Sequence, residues 1–515
     1  MDSMESTLTL TQRAGRAIGF RFIGSALEVT LSLGLGIFLA RILPPEEFGL
    51  FGITVAIISI AELLGSFGML RALVQRKNLT PEHQAAGVIF QCGSAIVIGG
   101  LLYVGAPAME ALFGMPGLAM VIRLQAGVLV VHSAGLLPET RLHRRLAFDR
   151  LVLIRVSDKT LGGVAAIIFA IQGSGAMALA IGSLTGATVG TFLLWVCAPG
   201  FIPLLFRPHH LRDLLSYGSG ILFINVANTL AQRVDTLIIG RQVGSEAVGL
   251  YQRAFQLALL PLSQMTGPVT KVLFPAMSLI QGEQKRFQRG YLAATRLSAL
   301  MAFPLLTMLG ATADLLVPLV YGPMWEATVP ILQILAVSGI FRLLMNVHSL
   351  VTQASGRVMA EAVRQGIWLI LVAVFGFLGS YVGVLGVTIG VTLATCIFFI
   401  SMTKLTLSIT TIRLADWLKV MQTGLLGSTL MGLTILGMKY LLVNRLSSML
   451  LLGVVACVGL FIYILVCRFC LTRADSELLE SICGVLPSRA GDVLRSIFRI
   501  TSKSPKPKVI AGASA

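Results

Sequence analysis

The 515 residues are 56% hydrophobic and only 12% charged, which is about half the charged content of a typical soluble domain. Apolar runs of about 20 residues recur along the chain, and a helix of that length crosses a hydrocarbon layer of about 30 Å. The composition therefore excludes a soluble globular protein and predicts an all-α polytopic membrane protein. A β-barrel is excluded because the apolar runs are continuous and do not alternate.

The apolar runs predict fourteen membrane-spanning helices, numbered helices 1 to 14 in chain order. The segments between them are short, so no extramembrane domain is expected apart from a short tail. The predicted helices cover approximately residues 17–40, 47–70, 85–106, 118–138, 151–171, 176–198, 217–240, 247–270, 292–320, 328–352, 362–380, 383–403, 419–440 and 448–468.

Lys and Arg are distributed unevenly between the two sides that these helices define. The amino end, the even-numbered loops and the tail carry 28 of them, whereas the odd-numbered loops carry only Arg41, Arg241, Lys439 and Arg445. Because basic loops stay in the cytoplasm, both termini are predicted to be cytoplasmic. The same rule explains the formal net charge of +17 without nucleic acid as a partner.

Two segments 200 residues apart are nearly the same. "ARILPPEEFGLFG" begins at residue 40 and "GRQVGSEAVGLYQ" at residue 240, so that Arg41 and Gly49 recur as Arg241 and Gly249. Further matches follow at an offset of 208 residues. Since each copy holds an even number of spans, the copies are predicted to be parallel lobes of six helices around a central cleft, as in transporters. The predicted lobes are residues 1–200 (helices 1–6) and 201–410 (helices 7–12), followed by helices 13 and 14 at 411–470 and a cytoplasmic tail at 471–515.

Polar side chains follow one face of helix 1 and one face of helix 7 at helical spacing. Because lipid does not tolerate such stripes, both are predicted to face the cleft between the lobes. Hydrogen bonding between packed helices is the alternative. The stripes comprise Arg21, Ser25, Glu28 and Ser32 on helix 1, and Asn225, Asn228, Gln232 and Asp235 on helix 7.

Basic side chains outnumber acidic ones within the predicted helices, which favours an anionic substrate. Arginine suits phosphate because its planar guanidinium donates two parallel hydrogen bonds. Arg342 is the first choice because it lies near mid-span, although a structural pair with Asp314 or Glu28 is the alternative. Helix 5 also carries Arg155, Asp158 and Lys159. The candidate substrate-binding residues are Arg342, Arg253, Arg21, Arg123, Ser25, Asn225, Asn228, Gln232 and Gln256. The candidates for Na⁺ or H⁺ coupling are Glu28, Asp235 and Glu62, with structural ion pairs as the alternative.

The sequence contains no pattern typical of a catalytic or metal site. It has no Walker A loop, and no cofactor is expected beyond a coupling ion. His132 and His348 are isolated on helices and are predicted to be hydrogen-bonded packing residues. We therefore expect a transporter and no enzyme.

Several segments resemble a known family. "ARILPPEEFGLFG", "FGMLRALVQRKNLTPE", "LFPAMSLIQGEQ", "VYGPMWEATVPILQILAVSG" and "QASGR" are similar to the Wzx-type polysaccharide flippases. The likeness is to the colanic-acid and teichuronic-acid exporter branch, within the multidrug/oligosaccharidyl-lipid/polysaccharide exporter superfamily. It extends from about residue 12 to about residue 470.

The resemblance implies a cationic central cavity and alternating access in a bacterial inner membrane. The implied substrate is an oligosaccharide repeat unit on undecaprenyl pyrophosphate, flipped for exopolysaccharide or lipopolysaccharide biosynthesis. The implied partners are this lipid-linked oligosaccharide, membrane lipids, a polysaccharide polymerase and glycosyltransferases. A flippase for lipid II, the peptidoglycan precursor, and a cation-coupled multidrug exporter are the alternatives.

The charge distribution gives a topology prediction. Reporter fusions at Gly173 and Tyr381 should report an external location, and fusions at Lys77 and Arg286 a cytoplasmic one. A cytoplasmic reading at Gly173 would overturn both the orientation and the parallel arrangement of the lobes.

Overall fold

The computed structural model describes residues 10–76, 78–200 and 208–470. These residues form α-helices joined by short connections, with no β-strand among them. The helices are α1 (Leu10–Ile42), α2 (Pro45–Ser66), α3 (Met69–Gln75), α4 (Pro81–Phe113), α5 (Leu118–Ser133), α6 (Leu136–Arg144), α7 (Phe148–Ile171), α8 (Ala176–Cys197), α9 (Pro208–Gln242), α10 (Ser245–Leu279), α11 (Gln284–Ala311), α12 (Ala313–Tyr321), α13 (Thr328–Ala354), α14 (Val358–Ser380), α15 (Val384–Thr410), α16 (Leu414–Leu442) and α17 (Ser448–Cys470), with a 3₁₀ turn at Pro323–Trp325.

The all-α membrane fold predicted from the sequence is confirmed. Eleven of the fourteen predicted ranges fall on one helix each, whereas predicted helix 2 runs across the break between α2 and α3, and predicted helix 4 across the break between α5 and α6. Among the described residues, nine helices are long and apolar enough to cross a membrane, or ten if the bent pair α5 and α6 forms one span. The number of fourteen spans stays a prediction. Predicted helix 9 is divided at Thr312 into α11 and α12.

The chain forms two compact units. Unit 1 comprises the described residues of 1–260 together with 316–338 and 359–400, and unit 2 comprises 261–315, 339–358 and the described residues of 401–515. The units group helices by packing, whereas the predicted lobes group them by repeat, so the lobe boundaries stay a prediction. The predicted tail lies outside the described residues.

Basic residues of the even-numbered loops bind the carboxyl ends of helices in unit 1. Arg144 donates to the carbonyl of Arg76 at 2.7 Å, just beyond α3. Arg150 donates to the carbonyl of Cys197 at 3.1 Å, at the end of α8. The last carbonyls of a helix lack partners within it and carry partial negative charge. These arginines therefore pair backbone groups that the membrane would leave unsatisfied.

Glutamates bind the opposite ends of two helices in the same unit. Glu47 accepts a hydrogen bond from the backbone N–H of Ala176 at 2.6 Å, in the first turn of α8. Glu110 accepts one from the backbone N–H of Ala119 at 2.8 Å, in the first turn of α5. A carboxylate stabilises a helix amino terminus through its free N–H groups and its positive dipole end.

The two repeated segments pack directly against each other within unit 1. Gly49 lies so close to α10 that a Cβ at that position would overlap the Ser245 carbonyl. A Cβ at Gly249 would overlap the Pro45 carbonyl of α2 in the same way. Because 45 and 49 correspond to 245 and 249, the contact has approximate twofold symmetry. Small residues four positions apart let helix backbones approach closely in a membrane, which explains why both copies keep this glycine.

The segment "VYGPMW" packs onto the first of these repeated loops. The indole N–H of the fully buried Trp325 donates to the Ala40 carbonyl at 2.8 Å, at the end of α1. Arg41 donates to the carbonyls of Leu319 at 2.5 Å and Val320 at 3.1 Å, near the end of α12. These bonds satisfy helix ends that loop residues would otherwise leave open.

Unit 2 has its own apolar core and a buried polar network. Met431, Ile435 and Val455 of α16 and α17 are almost fully buried. Nδ1 of His348 lies 3.2 Å from the Tyr291 hydroxyl and its Nε2 lies 3.1 Å from the Thr403 hydroxyl. Both ring nitrogens therefore have partners, and His348 is the hydrogen-bonded packing residue that the sequence predicts.

The close crossing of α2 and α10 predicts a specific sensitivity to added volume. Gly249→Ala should destabilise the protein by about 1–3 kcal/mol, because the new methyl group must push the Pro45 backbone away. The thermal unfolding midpoint of the detergent-solubilised protein measures this loss. Gly105→Ala is the matched control, since nothing lies within 4 Å of a Cβ at that helical position. Equal midpoints for the two variants would contradict the tight crossing.

Candidate functional site

Unit 1 contains a cavity of about 570 Å³, within the range of about 300–1,000 Å³ that is typical of small-molecule sites. Its wall is formed by the carboxyl-terminal part of α2, by α3 to α8 and by one turn of α9. We refer to it as the charged cavity. Most of its lining residues are apolar or small, and the charged ones therefore define its chemistry.

A helix break borders the charged cavity where α2 gives way to α3. Phe67 and Gly68, both on the cavity wall, have φ angles of 46° and 67°. A left-handed conformation is strained for a residue such as Phe67 and persists where the surrounding structure enforces it. The Ser94 hydroxyl donates to the Gly65 carbonyl at 2.7 Å. In membrane proteins such irregular backbone is tolerated only within protein or beside a water-filled cavity.

Charged residues from four helices line this cavity. Arg155 of α7 lies 3.9 Å from Glu139 of α6, between Nη2 and Oε1. Asp158 follows Arg155 by one turn on the same face of α7. The carboxylate of Glu62 comes from α2 and the guanidinium of Arg71 from α3. Among the described lining residues, three carboxylates thus accompany two arginines.

Glycines of α8 make room for the Asp158 side chain. A Cβ at Gly186 would overlap its carboxylate, and a Cβ at Gly190 would lie 3.4 Å from its Cβ. The same helices cross closely at Gly162 and Gly182, where an added Cβ would lie 2.6 Å from a backbone oxygen. The glycine-rich face of α8 therefore positions the carboxylate on the cavity wall.

Two of the predicted site residues line the charged cavity. Glu62 is exposed to it from α2, and Asn228 from α9. Gln232, one turn further along α9, donates to the Asn228 side-chain oxygen at 3.0 Å. Arg21, Ser25 and Asn225 lie outside the residues whose side chains are described, so their assignment stays a prediction.

Arg253 lies at the crossing of the repeated segments. Its guanidinium carbon lies 3.9 Å from the centre of the Phe48 ring, and its Nη1 donates to Gln256 at 2.9 Å. Such a cation–π contact contributes about 0.5–2 kcal/mol, depending on burial. Both predicted substrate-binding residues on α10 are therefore engaged in a contact that joins α2 to α10.

Asp235 is buried in the same unit. Its carboxylate accepts hydrogen bonds from the Tyr251 hydroxyl at 2.7 Å and from the backbone N–H of Thr236 at 2.6 Å. These bonds favour the structural alternative for this residue. Its role as a coupling residue stays a prediction.

The other predicted residues lie elsewhere. Arg123 lies over the Tyr103 ring of α4, 5.2 Å from its centre. Arg342 lies on α13 in unit 2 and Glu28 lies on α1 in unit 1; neither lines the charged cavity. Asp314, the predicted alternative partner of Arg342, pairs with Lys439 at 2.6 Å. Cargo binding by these residues stays a prediction.

His132 differs from its prediction. It is exposed and lines the charged cavity, so its assignment as a packing residue is wrong. The physical reason is the bend between α5 and α6, which places the last turn of α5 beside the cavity. Arg155 and Asp158 are visible in the sequence as polar residues of helix 5. Their spacing with Leu151 and Ile154 indicates one helix face, but the contribution of Glu139 and Arg71 depends on the packing of short helices.

A family model described as "Polysaccharide biosynthesis protein" matches residues 38–330, more than half of the chain. The chain belongs to this family. The predicted resemblance to the Wzx-type polysaccharide exporters is thereby confirmed. The lipopolysaccharide biosynthesis protein WzxC of Escherichia coli (strain K12) is 27% identical over 378 residues, which cover 71% of this chain and 76% of WzxC.

A second relative is the teichuronic acid biosynthesis protein TuaB of Bacillus subtilis (strain 168). It is 29% identical over 304 residues, which cover 58% of this chain. The match spans 62% of the length of TuaB, less than two thirds of that protein.

Solved structures share the fold. The lipid II flippase MurJ, in an inward closed conformation, aligns with a TM-score of 0.69 and 15% identity over 88% of this chain and 98% of MurJ. An inward-facing multidrug transporter of the MATE family aligns with a TM-score of 0.60 and 16% identity over 74% of this chain and 96% of that chain. At these identities the likeness establishes a common fold.

The geometry of α9 predicts a contrast in accessibility. A cysteine in place of Asn228 should react with a hydrophilic thiol reagent, because this position lines the cavity. A cysteine in place of Asp235, two turns further along the same helix and 1% exposed, should react at least tenfold more slowly. Labelling rates in a background without the native cysteines measure the contrast. Equal rates at the two positions would contradict the cavity wall.

Proposed function

We propose that this protein flips lipid-linked oligosaccharide repeat units from the inner to the outer leaflet of the bacterial inner membrane. The carrier lipid is undecaprenyl pyrophosphate, and the product feeds exopolysaccharide or lipopolysaccharide biosynthesis. The observation that carries the proposal is a charged cavity within a helical membrane bundle whose family is that of polysaccharide biosynthesis proteins. We propose no enzymatic activity.

The barrier to this reaction is desolvation. An ionised phosphate in an apolar medium loses its hydration, and the penalty reaches tens of kcal/mol for an isolated ion. Sugar hydroxyls without partners add about 2–7 kcal/mol each in an apolar environment. A cavity with guanidinium, carboxylate and amide groups replaces part of this hydration. The polyprenyl chain remains in lipid throughout, since it has no such penalty.

Arg71 and Arg155 are the groups in the cavity that fit a pyrophosphate. Arginine stays charged and offers paired donors in a planar arrangement. Among the described residues, the one ion-pair partner of Arg155 is Glu139, at a distance that is long for a hydrogen bond. A phosphate oxygen can therefore bind this guanidinium without breaking a buried ion pair.

Transport by alternating access requires the cavity to open to each side in turn. Parallel six-helix lobes that rock about a central site are one way to achieve this. Coupling to Na⁺ or H⁺ through Glu62 or another carboxylate would supply direction. A polymerase and glycosyltransferases are the partners that such a flippase would serve. The orientation with both termini in the cytoplasm belongs to the same proposal.

The decisive experiment is reconstitution. The purified protein in liposomes should move a fluorescent polyprenyl pyrophosphate-linked oligosaccharide between leaflets, measured by its accessibility to a membrane-impermeant quencher. Lipid II and a cationic drug serve as competing cargoes, because the fold is shared with a lipid II flippase and a multidrug transporter. Movement of lipid II alone, or of the drug alone, would overturn the proposal.

The charged cavity predicts the effect of removing one arginine. Arg155→Ala should reduce flipping at least tenfold, because a charge-assisted hydrogen bond to phosphate contributes about 1.5–3 kcal/mol. Arg155→Lys should recover part of the rate, since lysine keeps the charge and loses the planar geometry.

Lys159→Ala is the matched control, since Lys159 is exposed one turn further along α7 and does not line the cavity. Its rate should match that of the unmodified protein. If Arg155→Ala and Lys159→Ala behave alike at equal membrane abundance, Arg155 does not bind cargo.

A further inference from the structure

Positive and negative side chains occupy different depths of the charged cavity. The arginines lie nearer one end of the bundle, and two carboxylates lie deeper. The cavity is lined by the end of α2 and the beginning of α7, and Arg150 of α7 bonds to the end of α8. On α7, Arg155 is nearer this end of the bundle, and Asp158 lies about 4.5 Å deeper, at about 1.5 Å per residue. Arg71 lies on α3, whose carboxyl end is bound by Arg144 of the same basic loop, and Glu62 of α2 precedes Arg71 by nine residues, before the helix break.

The deep end of the cavity carries an excess of negative charge. Glu139 lies 3.9 Å from Arg155, and each offsets the charge of the other. Arg71 then remains near the mouth, while Glu62 and Asp158 remain deeper. Neither of these two carboxylates has a hydrogen bond or an ion pair among the described residues. Inside a bundle, like charges repel over several ångströms far more strongly than they do in water.

From this separation we infer that the cavity binds a lipid-linked saccharide with its phosphates beside Arg71 and Arg155, and that Glu62 and Asp158 select a neutral or amino sugar at the adjoining position. The inference rests on the proposed flippase function and specifies which cargo the site accepts. Sugar hydroxyls and ammonium groups donate hydrogen bonds, and an ionised carboxylate only accepts them. A uronic acid at this position would instead bring a third carboxylate beside those of Glu62 and Asp158.

The sugar position follows from the spacing on α7. A phosphate bound to Arg155 places its attached ring about one helical turn deeper, at the level of Asp158. Asn228 and Gln91 line the same cavity and provide neutral donors and acceptors for the remaining hydroxyls. A uronic acid would be repelled at this position. Binding sites commonly obtain specificity through such unfavourable contacts with the wrong ligand.

The test uses three synthetic cargoes that share one polyprenyl pyrophosphate. They differ only in the sugar attached to the pyrophosphate, which is glucose, glucosamine or glucuronic acid. Flipping rates are measured in liposomes that contain the full-length protein. The unmodified protein should flip the glucose and glucosamine cargoes at least tenfold faster than the glucuronic acid cargo.

The variants Glu62→Gln and Asp158→Asn keep the side-chain shape and remove one charge each. Each should raise the ratio of the glucuronic acid rate to the glucose rate by about threefold to tenfold, and the double variant by more. Asp149→Asn is the matched control, because Asp149 lies in the exposed first turn of α7 outside the cavity. It should leave the ratio unchanged. The ratio is measured within one preparation, so partial loss of protein does not affect it.

The outcomes separate the two proposals. If the unmodified protein flips none of the three cargoes, the proposed function fails and this inference fails with it. If it flips all three at similar rates, or if both single variants leave the ratio unchanged, the function stands and the selection by Glu62 and Asp158 is wrong. Asp158→Asn tests the inference alone if Glu62→Gln does not fold.

Discussion

A membrane supplies no water to hydrogen-bond a free backbone group, and this constraint explains the arrangement of charges in the protein. Each helix leaves four N–H and four C=O groups open at its ends, and lipid makes such groups costly. The loop residues meet this need with side chains of the matching sign. Glu47 binds the amino end of α8 and Arg150 binds its carboxyl end, so one helix is held at both ends by residues of other elements. The positive charge of the even-numbered loops thus has a structural role beside the topological role that the sequence predicts for it.

The same constraint locates the cavity. The left-handed backbone at Phe67 and Gly68 interrupts the helical hydrogen bonds, and only polar surroundings can replace these bonds. Ser94 provides one replacement, at the Gly65 carbonyl. Polar surroundings at this level lower the desolvation cost of charged side chains. Carboxylates and guanidiniums from α2, α3, α6 and α7 can therefore lie there. A charged cavity and a break in a helix therefore occur together, as they do in transporter interiors.

The sequence predicts the helices far better than it predicts the site. Twenty-residue apolar runs are a one-dimensional signal, and the fourteen ranges fall on helices because hydropathy alone governs them. The site depends on which helix faces meet. The predicted site residues Glu62 and Asn228 line the cavity. Arg253 follows a similar polar pattern, but its side chain contacts Phe48 where α2 crosses α10. Periodicity identifies a polar face but does not distinguish a cavity from a neighbouring helix. His132 shows the converse error, since it is exposed beside the bend between α5 and α6, although its neighbours one turn earlier, Val128 and Leu129, are apolar.

The recurrence of one segment after 200 residues has a physical explanation in the packing of α2 on α10. When two copies of one segment cross about a twofold axis, a residue near the axis in one copy contacts the equivalent segment of the other copy. A glycine that lets the partner backbone approach must then be present in both copies, because a side chain in either one would separate the helices. Gly49 and Gly249 satisfy this condition together, each beside the carbonyl of the residue four positions earlier in the other copy. Arg41 and Arg241 face no such requirement of symmetry, and the bonds of Arg41 go to α12, outside both repeated segments. Contact across the axis therefore requires glycine in both copies. Loop positions whose side chains bind elsewhere in the protein are not under this constraint.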